Sequence, residues 1–258
     1  MINKKFLLIV EGKVTEPSIF KTIFERYGFK VNIGPQMPLT DFNKEEYILD
    51  NSEVNILQGP KNRISELLRY YKLDSTDLQK IFKECSEVCS GIFIIYDVDH
   101  TSNDDLEELS KLFQDEMEGL LLVSSPCIEV LADVKRTAEL KCNHLSEYKS
   151  SLNTQFDLSH HVSAKKYIEN NFEKLAVDII DKNVKELGSS NIMEHPQLVI
   201  DYINKNNIRI NEKEKCYVIY RYFTTVIYVA VAYILGLTKE IDNAEIVKNY
   251  FKQYIKSN

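Results

Sequence analysis

Ten residues, Gly91 to His100, read GIFIIYDVDH, and they constrain the fold more than any other stretch. Ile92 to Ile95 is an unbroken run of β-branched and aromatic side chains. A run this short, apolar on both alternating faces, suits a strand covered on both sides, the kind found inside a parallel sheet. It closes in Tyr96 and then Asp97-Val98-Asp99. Side chains alternate along a strand, so Asp97 and Asp99 share a face if the strand continues, with Val98 pointing away. Open α/β sheets hold their ligands at the carboxyl ends of strands. Two carboxylates this close repel each other and call for a counter-charge. A divalent cation such as Mg²⁺, which takes oxygen ligands, supplies one. Capping of a following helix is the plainer use of the same aspartates.

The chain leading to this strand repeats its grammar. Phe6 to Val10 is a second buried-strand candidate, followed by Glu11-Gly12-Lys13-Val14-Thr15-Glu16-Pro17. Thr15 is a candidate N-cap, Pro17 is tolerated in a first helical turn, and Ile19, Phe20, Ile23 and Phe24 recur at helical spacing up to a C-capping Gly28. Val31 to Ile33 and Val54 to Leu57 are further strand candidates, separated by a stretch without clear period. Lys61 and Arg63 lie at the start of a helix through Leu67, Leu68 and Tyr71, as candidate phosphate contacts or simple solvation of a helix end. Another helix is expected from Ser75 to Cys89.

Beyond Asp99 an acidic helix is expected over Asp104 to Glu118, its first-turn carboxylates matching the helix dipole. Leu120 to Val123 is the next strand, ending in Ser124-Ser125-Pro126-Cys127-Ile128-Glu129. Ser125 can cap a helix with Pro126 at its first position, which would place Glu129 about one turn inside. From about Lys135 helical periodicity takes over. One long helix is expected over Ala164 to Leu187, another over His195 to Asn206, and a last one over Asn243 to Lys256. The most apolar segment, Cys216 to Leu237, approaches transmembrane length. It nevertheless contains Arg221, two threonines and five tyrosines, so it reads as a buried core helix rather than a membrane span. Arg221 there calls for a buried partner, since an unpaired buried charge is costly. His160 and His161 are adjacent and read as loop residues rather than metal ligands.

Composition bounds the function. The 258 residues are 44% hydrophobic and 28% charged, ordinary for a globular chain, and the net charge is −7. That balance argues against holding nucleic acid by bulk electrostatics, though not against a local basic groove or a metal that supplies the positive charge. The five cysteines lack zinc-ligand clustering and suggest reduced thiols in a cytoplasmic protein. The apolar core of the N-terminus, Phe6 to Val10, is too short for a signal peptide.

The ordered set Glu11-Gly12, Asp97-Val98-Asp99 and Ser124 to Glu129 resembles the TOPRIM domain shared by topoisomerases, primases and OLD-type nucleases. The stretch IVEGKVTE, ending at Glu16, looks like the small stand-alone TOPRIM proteins of the RloB type, whose relatives carry a Ser-x-Pro-x-x-Glu segment after the last core strand. The resemblance covers roughly residues 4 to 134. It departs from the RloB pattern at Ile128 and Leu131, where aromatic residues are usual, and the C-terminal half matches no named family. It implies an α/β fold with a TOPRIM-like, Rossmann-like, mostly parallel sheet and flanking helices over residues 1–134, followed by an α-helical domain over residues 135–258. It further implies a metal-dependent nuclease acting on DNA or RNA, tRNA included, associated with bacterial defence against phage. Glu11, Asp97 and Asp99 would be catalytic. Glu11, Glu16, Asp97, Asp99 and Glu129 would hold Mg²⁺ or Mn²⁺, with Lys13 reaching a phosphate. Carboxylates converging on one or two cations can activate water and stabilise a leaving oxygen. No Walker motif occurs in the sequence, so nucleotide gating would require an ATPase partner. The oligomeric state is left open.

Two other readings share these residues. Asp97-Val98-Asp99-His100-Thr101 fits the Asp-x-Asp-x-Thr signature of haloacid-dehalogenase-type phosphatases, with Asp97 as nucleophile and Asp99 as general acid. The motif is usual near the start of that core, whereas two strand units precede it here. The other is a non-catalytic TOPRIM module that binds a partner protein.

Overall fold

The computed structural model describes residues 5–12, 14–36, 48, 51–58, 82–98, 103–117, 119–136, 138–155, 163–188, 196–206, 209–211, 216–219, 222–237 and 240–257. The chain forms two compact units. The first comprises Met1–Tyr96, Thr101–Leu122 and Met193–Gln197; the second comprises Asp97–His100, Val123–Ile192 and Leu198–Asn258.

The architecture is α/β with a mostly parallel central sheet. In the first unit β1 (Phe6–Val10) is the middle strand. It runs parallel to β3 (Val54–Gln58) on one side, with Phe6 opposite Val54, and to β4 (Gly91–Asp97) on the other, with Phe6 opposite Gly91 and Val10 opposite Ile95. β2 (Val31–Gln36) lies outside β3, and β6 (Gly119–Ser125) lies on the far side of β4. A two-residue β5 (Gln114–Asp115) pairs antiparallel with the start of β6. The five residues of β1 and the apolar run of β4 are each at most 1% exposed, as strands flanked on both sides require. Helix α1 (Thr15–Arg26) buries Ile19, Phe20, Ile23 and Phe24, the face set by helical spacing. The Phe24 ring packs tilted against that of Phe6, with centroids 5.1 Å apart.

Val14, not Thr15, is the N-cap of α1, and no side chain caps it. The acidic helix is α2 (Asn103–Leu112). It stops short of Glu118 because Phe113 turns into the core, 2% exposed, and the chain pairs as β5. Of the helix expected over Ser75 to Cys89, residues 82–86 are helical among those described. The helix through Leu67 to Tyr71 lies outside the described residues.

In the second unit the end of β6 pairs antiparallel with β10 (Phe223–Thr224), Ser125 opposite Phe223 and Ser124 opposite Thr224. Then come α3 (Val130–Asp133), β7 (Leu140–Cys142), α4 (Leu145–Gln155), α5 (Ala164–Asn170), α6 (Phe172–Leu187), α7 (Pro196–Asn206), β8 (Arg209–Asn211), β9 (Cys216–Ile219), α8 (Ile227–Leu235) and α9 (Ala244–Ser257). Beyond residue 135 the chain is therefore mixed rather than purely helical, since β7, β9 and β8 form a three-stranded antiparallel sheet. The core helix expected over Cys216 to Leu237 is instead β9, β10 and the nine-residue α8. α8 is apolar around most of its circumference because it packs against both α6 and α9, and Gly236, at φ 65°, ends it in a left-handed turn that glycine adopts without a Cβ clash. The single helix expected over Ala164 to Leu187 breaks at Asn171, whose side chain donates back to the Tyr167 carbonyl. No helix among the described residues is long and apolar enough to cross a membrane.

Candidate metal centre

The second unit holds the convergent group. β4 delivers Asp97, and the N–H of the next residue, Val98, donates to the Ser124 carbonyl at 2.9 Å, fixing the strand exit against β6. β6 is itself held from its other side. Thr225 donates its N–H to the Val123 carbonyl at 2.9 Å, and the Ser124 and Thr224 hydroxyls meet at 2.8 Å. After Ser125 the chain turns through Cys127, Ile128 and Glu129, with the Val130 N–H returning to the Cys127 carbonyl at 2.9 Å. Glu129 is the residue before α3 and not a turn inside it, and its side chain makes no capping bond. Ser125 ends a strand and caps no helix.

The result is three side chains whose ligand atoms all lie within 4.8 Å of one another: Asp97, Cys127 and Glu129. Asp97 is 7% and Cys127 1% exposed. The Oε2 atom of Glu129 is buried without a hydrogen-bond partner. Burial pushes the Cys127 thiol well up, the Asp97 and Glu129 charges add to this, and Lys149 works against it. α4 carries Lys149, whose Nζ stands 3.6 Å from Asp97 Oδ2. Two carboxylates side by side, Asp97 buried and Glu129 half-buried, cost free energy unless a cation offsets them. An orphaned carboxylate oxygen in an acid-rich group fits a bound dication. Bound there, such an ion would lower the pKa of a coordinated water and polarise a phosphoryl oxygen.

A polar layer in the same unit supports this turn. Asp133 pairs with Arg136 and receives the Tyr148 hydroxyl at 3.4 Å. Burial raises the Asp133 carboxyl, and Arg136 holds it down. The Arg136 guanidinium sits 5.7 Å over the Tyr222 ring, whose phenol is pushed up to about 12, chiefly by burial.

In the first unit Glu11 and Glu16 follow β1. Tyr96, 1% exposed, has its hydroxyl buried without a hydrogen-bond partner; burial and then the Glu11 charge raise its pKa, so it stays neutral. Glu16, 7% exposed, folds its carboxylate back over Gly12, where a Cβ would lie 1.8 Å from Oε2. Gly12→Ala therefore displaces the Glu16 carboxylate, the far end of a flexible side chain. We expect a loss of about 1 kcal/mol or less, and almost none in a Glu16→Ala background. Urea denaturation of the four proteins of this cycle checks it.

Of the residues singled out from the sequence, Asp97 and Glu129 are brought together, while Glu11 and Glu16 belong to the first unit. Asp99, Lys13, Lys61, Arg63, His160, His161 and Arg221 lie outside the described residues. Cys127 and Lys149 were not singled out. Cys127 stands two residues before Glu129 in a turn, a spacing that could have flagged it, whereas Lys149 has no local signal. No protein-family model, curated protein or solved structure matches the chain.

Proposed function

We propose that the chain is a divalent-cation-dependent nuclease of TOPRIM type that cleaves phosphodiester bonds in DNA or RNA, tRNA being one candidate, in cytoplasmic anti-phage defence. The observation that carries this reading is the convergence of Asp97, at the end of β4, and Glu129, in the turn after β6, with a buried carboxylate oxygen left unpartnered. The parallel placement of β1 and β4, each followed or closed by an acid, supports the TOPRIM assignment. None of the five described cysteines forms a disulfide, in keeping with a reducing compartment.

In this reading Asp97 and Glu129 hold Mg²⁺ or Mn²⁺. Lys149, 37% exposed, presents an ammonium at the rim of the group, where a phosphate oxygen of the nucleic acid would meet it. Glu11, Glu16 and Asp99 remain candidates for the catalytic and metal-binding roles that the resemblance assigns them, and Lys13, Lys61 and Arg63 remain candidate backbone contacts. An ATPase chain remains a candidate partner.

The pairing of Lys149 with Asp97 at 3.6 Å favours a second reading. Phosphatases of the haloacid dehalogenase type also carry a lysine downstream of the nucleophilic Asp. One assay separates the two. The protein is incubated with supercoiled plasmid, single-stranded DNA, total tRNA and a phosphomonoester, in Mg²⁺, Mn²⁺ or EDTA. Metal-dependent polymer cleavage that falls about 100-fold in Glu129→Gln and is lost in Glu11→Ala supports the nuclease. Monoester turnover that survives Glu11→Ala assigns the phosphatase. Silence on every substrate with metal still bound assigns a binding module.

A further inference from the structure

We propose that Cys127 is a sulfur ligand of the same cation, so that the centre takes a thiophilic first-row dication of the Co²⁺ or Zn²⁺ kind in preference to Mg²⁺. This rests on the metal reading of Asp97 and Glu129 and adds to it the chemistry of the third donor. The Cys127 sulfur lies within 4.8 Å of both carboxylate ligand atoms. The turn that sets it there is hydrogen-bonded from Val130 back to Cys127, and Ile128, 1% exposed, is buried in the core between the two ligands. Around an ion with bonds of about 2.0–2.3 Å, tetrahedral ligands stand roughly 3.5 Å apart, so a small closing rotation of the three side chains suffices.

The donor set decides the metal. Mg²⁺ demands oxygen ligands in near-octahedral array. Two carboxylates and one thiolate, with a fourth position open, match the three-ligand sites of catalytic zinc. The proton balance also closes. As the sulfur–metal bond forms, the Cys127 proton leaves to solvent. The thiolate and two carboxylates then face a dication and the Lys149 ammonium, and the charges cancel. The competing role for Cys127 is that of a small buried filler that leans its thiol on Glu129. A filler would leave metal choice untouched.

Cobalt tests this without an activity assay. The whole protein is titrated with Co²⁺ and, separately, with Mg²⁺ by calorimetry, while near-ultraviolet absorbance follows the thiolate-to-cobalt charge-transfer band. Wild type is expected to bind Co²⁺ more tightly than Mg²⁺ and to show the band. Cys127→Ser is expected to lose the band and to weaken Co²⁺ at least about 10-fold, with Mg²⁺ unchanged. Asp97→Asn is expected to lose the band with Cys127 intact, which attributes the band to this group even if the serine variant folds poorly. Cys85, Cys89, Cys142 and Cys216 are buried thiols outside the group, so a band that survives Cys127→Ser overturns the proposal. Cobalt bound by wild type without a band also overturns it and leaves the metal reading standing. Binding of neither ion sinks both.

Discussion

Asp97→Asn is expected to lower metal-dependent cleavage on the order of 10³-fold, about 4 kcal/mol of transition-state stabilisation, while leaving the fold in place. The two halves of this expectation have different sources. Asp97 closes β4, is 7% exposed, and shares its neighbourhood with Glu129 and Cys127. Its charge is therefore repelled by Glu129 and attracted by Lys149. Replacing it with an isosteric amide removes repulsion and attraction together. The abandoned Lys149 is 37% exposed and can return to water, so the ion pair itself contributes little stability. The unfolding midpoint is expected to move by less than about 1 kcal/mol. A cation, by contrast, loses one of the two described carboxylates of the group. Single-turnover cleavage and urea denaturation of the same preparation test both halves. Retained cleavage would remove Asp97 from the chemistry, and a collapse in stability would make it a structural residue.

The same physics explains what could be read from the chain alone. Phe6–Val10, Val54–Gln58, Gly91–Asp97 and Gly119–Ser125 are strands because short apolar runs with no solvent-facing period can bury both faces only inside a sheet. The acid after each of three of them was legible for the same reason, since a strand of that kind must end abruptly. Cys216 to Leu237 misled because a segment buried all round carries no period to tell helix from strand. Its β-branched and aromatic start, Cys216–Ile219, became an inner strand between β7 and β8. Only Ile227–Leu235, richer in alanine, became helix. The helix over Ala164 to Leu187 kept its apolar face but not its continuity, because Asn171 competes locally for a carbonyl. Lys149 was out of reach. It arrives from α4, far along the chain, and only tertiary packing sets it 3.6 Å from Asp97.

Lys182→Met is expected to cost about 3 kcal/mol of stability. Lys182 lies on α6 and is 17% exposed. Its ammonium donates to the carbonyls of Val134 and Tyr222, both at 2.7 Å. One carbonyl follows α3 and the other precedes β10, so a single charge ties together two segments that no strand pairing among the described residues joins. Its neighbour Asn183, fully buried, donates to the Thr224 carbonyl at 2.8 Å and holds β10 from the same helix. Methionine fills the volume of the lysine stem but leaves two carbonyls without their donor, at about 1–3 kcal/mol each where water cannot replace it. The urea midpoint should fall with little change in slope, because the surface exposed on unfolding is the same. The two segments also frame the turn that carries Glu129, and β10 pins the Ser124 end of β6. Calorimetric metal affinity is therefore expected to fall about 10-fold in Lys182→Met, the range seen when support behind a ligand is removed. Lost stability with unchanged affinity would make Lys182 a clamp of the fold alone. Loss of both, with Asp97 and Glu129 intact, would make it a positioning residue for the metal centre.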